Sequence, residues 1–194
     1  MNTSRITTFL TSNLELDPQH IQTLIDFCGY KSFKKNETII EPGQNCKHIF
    51  FVEKGLLRQF SIDKKGKEHN LSFAPENWLI SDRASYYFNE PSEFFIQALE
   101  DTVVLMLDEA FFAKVDRLNP DFKDFNTKLL HKHIKQLQFR INSLLSWTAE
   151  ERYLDFIKTY PDLTLRIPQT MIASYLGITP ESLSRVRKEL TTKK

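Results

Sequence analysis

The stretch QTMIASYLGITPESLSRVRK, residues 169–188, decides how the rest of the chain is read. It reads as two short helices joined by a tight turn. Ala173 sits where two helices must cross closely, and Gly177 follows four residues later, at the turn, where a left-handed backbone is cheap only for glycine. Thr179 is placed to cap the next helix, and Pro180 fits its first turn because that N–H needs no helical partner. Leu183, Val186 and Leu190 recur at helical spacing and define a buried face. At about 100° per residue, Glu181, Ser184, Arg185 and Lys188 fall on the opposite side. This is a helix-turn-helix with a polar recognition face.

Composition bounds the remainder. At 194 residues the chain is long enough for one large or two small domains, and 41% hydrophobic with 26% charged residues is ordinary for a globular protein. The net charge of +1 excludes a globally basic nucleic-acid binder. Basic surface is therefore expected to be local: Arg185, Arg187, Lys188, Lys193 and Lys194 oppose only Glu181 and Glu189 from residue 179 onward. Cys28 and Cys46 make neither a disulfide framework nor a CxxC metal motif, and both are expected to be reduced thiols. Met1 to Leu10 lacks the sustained apolar run of a signal peptide, and no segment approaches the ~18 apolar residues of a membrane span. A cytoplasmic protein without membrane contact is expected.

Upstream, residues to about Lys31 read as helical, with Asp17 as a cap, Pro18 in a first turn and Ile21, Leu24, Ile25 and Cys28 on one stripe before Gly29. From Phe33 to Leu107 short β-rich runs alternate with turn residues. They are Glu37–Glu41, His48–Glu53, Leu56–Ile62, Glu68–Phe73, Phe94–Leu99 and Val103–Leu107. Turn signals at that frequency, with no helices between, predict an antiparallel sandwich or barrel. Asp108–Val115 predicts a short helix. After Pro120 a long helix is predicted from Asp121 to about Trp147. On it Leu130, Ile134, Leu137, Ile141 and Leu144 step by four, three, four and three, the spacing that lets two helices pack along their length. Thr148-Ala149-Glu150-Glu151 is a capping box opening a further helix, and Leu163–Ile167 reads as a short strand. The fold class is α+β. Residues 1–117 are expected to form an antiparallel β domain, 118–147 a long helix with an apolar seam, and 148–194 a helix-turn-helix domain.

This order resembles the Crp/Fnr family of bacterial transcription regulators over nearly the whole chain. The resemblance is carried by Glu41-Pro42-Gly43, by HIFFVEKGLLRQF (residues 48–60), by DKKGKE (63–68) and by the opening stretch. It implies a cyclic-nucleotide-binding-like roll that senses an effector, a long helix that pairs two subunits, and a helix-turn-helix docked in the major groove of a palindromic site. By position, Glu181 and Arg185 match the family's base-reading pair. Their chemistry agrees, since arginine donates a fork to guanine O6 and N7 and glutamate accepts from cytosine N4. Gln169, Thr170, Thr179, Ser182, Ser184 and Lys188 complete the expected DNA-binding set, the two serines as phosphate contacts. Pro180 replaces a residue that is often basic or polar in the family, so a contact from that position is lost. The chain stops four residues after Leu190, so the family's wing is expected to be truncated or absent, with Lys193 and Lys194 as partial substitutes.

The sensor half departs further. Cyclic-nucleotide binders of this family carry Gly-Glu-Leu and, about ten residues later, Arg-Ser. Here the region reads Ile80-Ser81-Asp82-Arg83-Ala84 and then Ser92-Glu93. Asp82 can stand for the ribose carboxylate, but a carboxylate at Glu93 would repel a phosphate. Ser81, Asp82, Arg83, Ser92 and Glu93 are thus the candidate effector pocket, with weak or no binding of cyclic AMP expected and no cofactor predicted. The five histidines are scattered. His131 and His133, two apart on a helix, point about 200° from each other, so no metal site is expected. The expected partners are double-stranded DNA, a second copy of the chain, an unidentified small-molecule effector and RNA polymerase. The alternatives are a cyclic-nucleotide-responsive interaction module without DNA binding and a cupin-like enzyme. The enzyme would require clustered metal ligands that the β region does not supply.

Overall fold

The computed structural model describes residues 4–192 apart from positions 15 and 17, so the expected cap at Asp17 and the terminal pair Lys193 and Lys194 lie outside the described residues. The chain divides into two compact units, Met1–Ser61 with Leu71–Leu129, and Ile62–Asn70 with Leu130–Lys194.

The first unit opens with α1 (Arg5–Asn13) and α2 (Pro18–Cys28). Ser4 caps α1 through the Thr7 N–H, and Glu53 accepts from the free N–H groups of Arg5 and Ile6 at 2.6 and 3.0 Å. The N-terminal region comprises two helices, the second ending at Cys28, short of Lys31. Residues Tyr30–Phe33 form a strand, β1, whose backbone groups pair with a later strand. Only Phe33 of β1 is buried, so no alternation in the sequence marks it.

The strands that follow are β2 (Thr38–Ile40), β3 (Ile49–Lys54), β4 (Leu57–Ile62), β5 (Glu68–Ala74), β6 (Leu79–Ile80), β7 (Phe95–Ala98) and β8 (Thr102–Leu107). They form two four-stranded sheets, β1-β8-β3-β6 and β2-β7-β4-β5. A six-residue helix, α3 (Arg83–Phe88), interrupts them after β6. Strand β3 is buried at four consecutive positions because both of its faces are covered. Ile49 and Phe51 join Leu105 and Leu107 beneath the helices, whereas Phe50 and Val52 join Val104 in the space between the sheets. The second sheet supplies Ile40, Leu57, Ala74, Ile96 and Ala98 to that inner core. On its other face Arg58 and Phe60 pair with Gln97 and Phe95. Arg58 stacks 3.8 Å above Phe60 and donates to Gln97 Oε1 from Nε and Nη2.

Helix α4 (Glu109–Leu118) is capped by Asp108, and α5 (Phe122–Ser146) is a single 25-residue helix. Phe122 and Phe125 belong to the first unit, where they pack with Phe111, Phe112 and Phe9.

In the second unit α5 is followed by α6 (Ala149–Thr159), α7 (Leu163–Arg166), α8 (Gln169–Leu176) and α9 (Pro180–Thr192). The capping box at Thr148 and Glu151 is formed in both directions. Residues 163–167 are a helical turn and not the expected strand. An extended chain would put Leu163, Leu165 and Ile167 on one face. The helical turn instead buries Leu163 and Ile167 four apart and leaves Leu165 90% exposed. The core of this unit comprises Tyr153, Phe156, Tyr160, Leu163, Ile167, Ile172, Ala173, Leu176, Leu183 and Val186. Among the described residues no helix is long and apolar enough to cross a membrane.

Candidate nucleic-acid interface

The turn between α8 and α9 is built by hydrogen bonds that its sequence dictates. Gly177 adopts φ 66°, ψ 33°; its N–H reaches Ser174 O at 3.1 Å, and the Ile178 N–H reaches Ala173 O at 3.0 Å. This doubly bonded C-terminal motif needs a left-handed residue, which glycine adopts without a Cβ penalty. Ala173 is 1% exposed, as the close helix crossing requires. Thr179 then caps α9, its Oγ1 accepting the Ser182 N–H at 3.2 Å, and Pro180 is the first helical residue.

Helix α9 buries Leu183 and Val186, and Leu190 is half-buried, while Glu181, Ser184, Arg185 and Lys188 are exposed on the other side. Ser182 is half-buried between the two sets. Its Oγ accepts from Arg185 Nη2 at 3.3 Å and from Thr179 Oγ1 at 3.2 Å. Glu181 lies one turn before Arg185. Its own backbone N–H, and then the Thr179 hydroxyl that it shares with Ser182 Oγ, hold its carboxyl below the usual carboxylate range, and the Arg185 charge adds to this. The carboxylate is therefore an acceptor at neutral pH. Gln169 and Thr170 stand at the start of α8, away from this cluster in sequence, and Gln169 Oε1 is buried with no hydrogen-bond partner among the described residues.

Two residues outside the expected site hold α8 in place. Arg140 of α5 stacks 3.6 Å above the Tyr175 ring and donates from Nη2 to Tyr175 O at 2.8 Å. Tyr175 in turn packs against Phe156 and Tyr160 at centroid distances of 5.4 and 6.0 Å. Ser174 Oγ donates to Glu68 O and accepts from the Asn70 N–H, both at 3.0 Å, which ties residues 62–70 to α8 within the same unit. No motif marks either contact, since both are pairings of residues far apart in sequence.

The seam residues of α5 are solvent-facing. Leu130, Ile134, Leu137, Ile141 and Leu144 are 39–59% exposed, and Leu145 beside them is 82% exposed. They form a continuous apolar stripe on a solvated helix face.

In the first unit, the five candidate effector residues are only partly brought together. Asp82 is 3% exposed and caps α3; its Oδ1 accepts from the Ala84 and Ser85 N–H groups, and its Oδ2 accepts from Ser92 Oγ at 2.7 Å. Ser92 is equally buried, and its Oγ accepts the Phe94 N–H at 3.2 Å. Ser81 Oγ instead donates to His48 O, Arg83 is half-buried as the first residue of α3, and Glu93 is exposed. Burial, aided by Asp108, pushes the Cys28 thiol up to about 12, so it is a neutral packing group at physiological pH. Among the described residues no three His, Cys, Asp or Glu side chains converge as metal ligands would.

Residues 30–117, the β-roll with α3 and most of α4, match the family model of the cyclic nucleotide-binding domain. The chain is 28% identical over 170 residues to the fumarate and nitrate reduction regulatory proteins of Escherichia coli (strain K12) and Salmonella typhimurium. That overlap takes in 80% of this chain and 66% of each relative, so the chain spans just under two thirds of the length of these relatives. Its fold is similar to that of FixK2 from Bradyrhizobium japonicum, with a TM-score of 0.72, 18% identity and 85% of each chain covered. It is equally similar to a CooA variant from Carboxydothermus hydrogenoformans, with a TM-score of 0.72 and 20% identity over 100% of this chain and 86% of that one. The class is thus a cyclic-nucleotide-binding-type roll joined to a helix-turn-helix. These similarities agree with the resemblance to the Crp/Fnr family of regulators.

Proposed function

We propose that this chain is a dimeric, sequence-specific DNA-binding transcription regulator whose α9 enters the major groove. The observation that carries the reading is the division of α9 into a buried face of Leu183 and Val186 and an exposed face of Glu181, Ser184, Arg185 and Lys188. The helix is fixed by the Gly177 turn and the Thr179 cap. Arg185 is the guanine reader and Glu181 the cytosine reader. Pairing through the α5 seam would present two such helices about 34 Å apart, matching half-sites one helical turn apart.

Selection from random duplexes should return a palindrome, bound with a steep salt dependence. Arg185→Ala should remove discrimination at one base pair per half-site, at about 1–3 kcal/mol per contact, while the dimer persists in sedimentation. Full retention of sequence preference by that variant would overturn the assignment of Arg185.

The roll serves as the sensing unit, for an effector other than cyclic AMP. Both Asp82 oxygens are engaged by α3 and Ser92, and a ribose would have to displace those bonds. Titration calorimetry with cyclic AMP should give no saturable heat; micromolar affinity would refute this. RNA polymerase is a further expected partner, on the family resemblance alone.

A further inference from the structure

We infer that Ser182 is a positioning residue for base readout, holding Arg185 in its reading pose, and that it is not a phosphate contact. The inference rests on the proposed role of Arg185. Ser182 sits one turn before Arg185, on the boundary between the buried and exposed faces of α9. Its Oγ accepts from Arg185 Nη2 at 3.3 Å and from Thr179 Oγ1 at 3.2 Å. The Thr179 hydroxyl is itself fixed, because as the helix cap it takes the Ser182 N–H at 3.2 Å. A hydroxyl anchored by the helix start thus reaches the guanidinium three residues on.

An unrestrained exposed arginine samples many rotamers, and fixing it upon binding forfeits that freedom. Holding Nη2 in advance removes part of the loss for one pose only, the one that projects from the polar face. The guanidinium carries five N–H donors, so one directed at Ser182 leaves four, enough for a two-pronged contact with guanine O6 and N7. A serine engaged in this way adds to discrimination between bases. A serine bonded to phosphate would instead add equal affinity to every sequence. Pro180 sharpens the demand on Arg185, since it offers no side-chain donor at the neighbouring position.

The test uses the full chain and the palindrome selected for it, with the base pair opposite Arg185 changed to each alternative. Ser182→Ala should lower the preference for the selected base about three- to tenfold, the span of one solvent-exposed hydrogen bond, with binding to unrelated duplex unchanged. The backbone cap survives that substitution, so the melting temperature should hold. Ser182→Thr should restore the preference. In an Arg185→Ala background Ser182→Ala should have no further effect on it. Without DNA, 15N relaxation at Arg185 Nε should report a restrained side chain in the wild type and a loosened one in Ser182→Ala. An unchanged preference in Ser182→Ala overturns the inference, whether or not affinity falls uniformly across all sequences. If Arg185→Ala itself keeps full preference, the reading of Arg185 fails and takes this inference with it. If only the serine variant keeps full preference, that reading stands and this inference alone fails.

Discussion

A Cβ added at Gly55 would fall 2.5 Å from Thr102 Oγ1, 2.7 Å from Thr102 Cα and 2.9 Å from Asp101 O, at a residue whose φ is +99°. Two of those three atoms are backbone and cannot rotate away. Thr102 is also committed, since its Oγ1 accepts the Leu56 N–H at 3.1 Å where β4 begins. Gly55→Ala should therefore lower stability by about 2–5 kcal/mol through overpacking and backbone strain together. Chemical denaturation would measure it. Thr102→Ala should fail to rescue the variant, because the Thr102 Cα and Asp101 O contacts remain; a full rescue would show the side chain alone to be limiting. Asp82 makes a different point at the same scale. A carboxylate at this position reads as a ligand for ribose when only its neighbours in sequence are considered. In the fold it is a helix cap bonded to Ser92, ten residues on. Nothing in the sequence distinguishes an acidic side chain that waits for a ligand from one already satisfied by its own chain.

Among the elements, α6 has its start fully specified by four residues. The Thr148 backbone N–H and then its hydroxyl hold the Glu151 carboxyl below its ordinary value near 4.5. The folded state therefore favours the ionised form. The stabilisation is fully present above the unfolded value and fades as pH falls through the lower folded value. Glu151→Ala should accordingly lower the melting temperature at pH 7, with the gap to wild type narrowing below about pH 4. A gap independent of pH would show that the charge plays no part. This cap, the Gly177 turn and the start of α9 at Pro180 were all legible in the sequence because each is a contact within five residues. The six predicted strand runs were legible for the related reason that turns and alternation are local. Residues 163–167 were not. Leu-Thr-Leu-Arg-Ile satisfies a two-residue period as well as a helical turn, and only the core beneath Leu163 and Ile167 selects the latter. Strands β1 and β6 were likewise invisible. One has a single buried residue, the other only two residues in all, and both owe their form to partner strands.

For the whole molecule, the proposed pairing rests on the stripe from Leu130 to Leu144, whose residues are spaced by fours and threes and are exposed in the single chain. Leu137, 48% exposed, lies at its middle. Leu137→Asp would bury a carboxylate against its own symmetry mate, an uncompensated charge costing on the order of 3–5 kcal/mol. Sedimentation should show monomers at micromolar concentration, with half-site binding to DNA and loss of the palindrome requirement. An unchanged dimer would move the interface elsewhere. The Arg140 stack on Tyr175 was not legible, because by charge alone Arg140 is indistinguishable from the exposed Lys132 and Lys135 on the same helix.

Gly177 and Leu144 belong together in a way that genetics can reach. A Cβ at Gly177 would meet Leu144 Cδ2 at 3.3 Å, the far end of a flexible side chain. The same leucine closes the α5 stripe. A defect introduced by Gly177→Ala should therefore attract second-site suppressors that trim residue 144, and none at residues 130 or 134. Leu144→Val or Leu144→Ala would relieve the contact but leave the cost of the left-handed backbone, so rescue should be incomplete. Each such suppressor would also surrender apolar surface from the pairing face, so restored strains should depend more steeply on protein dosage than their parent. A suppressor screen that returned full-strength, dosage-insensitive revertants at position 144 would separate the turn from the stripe.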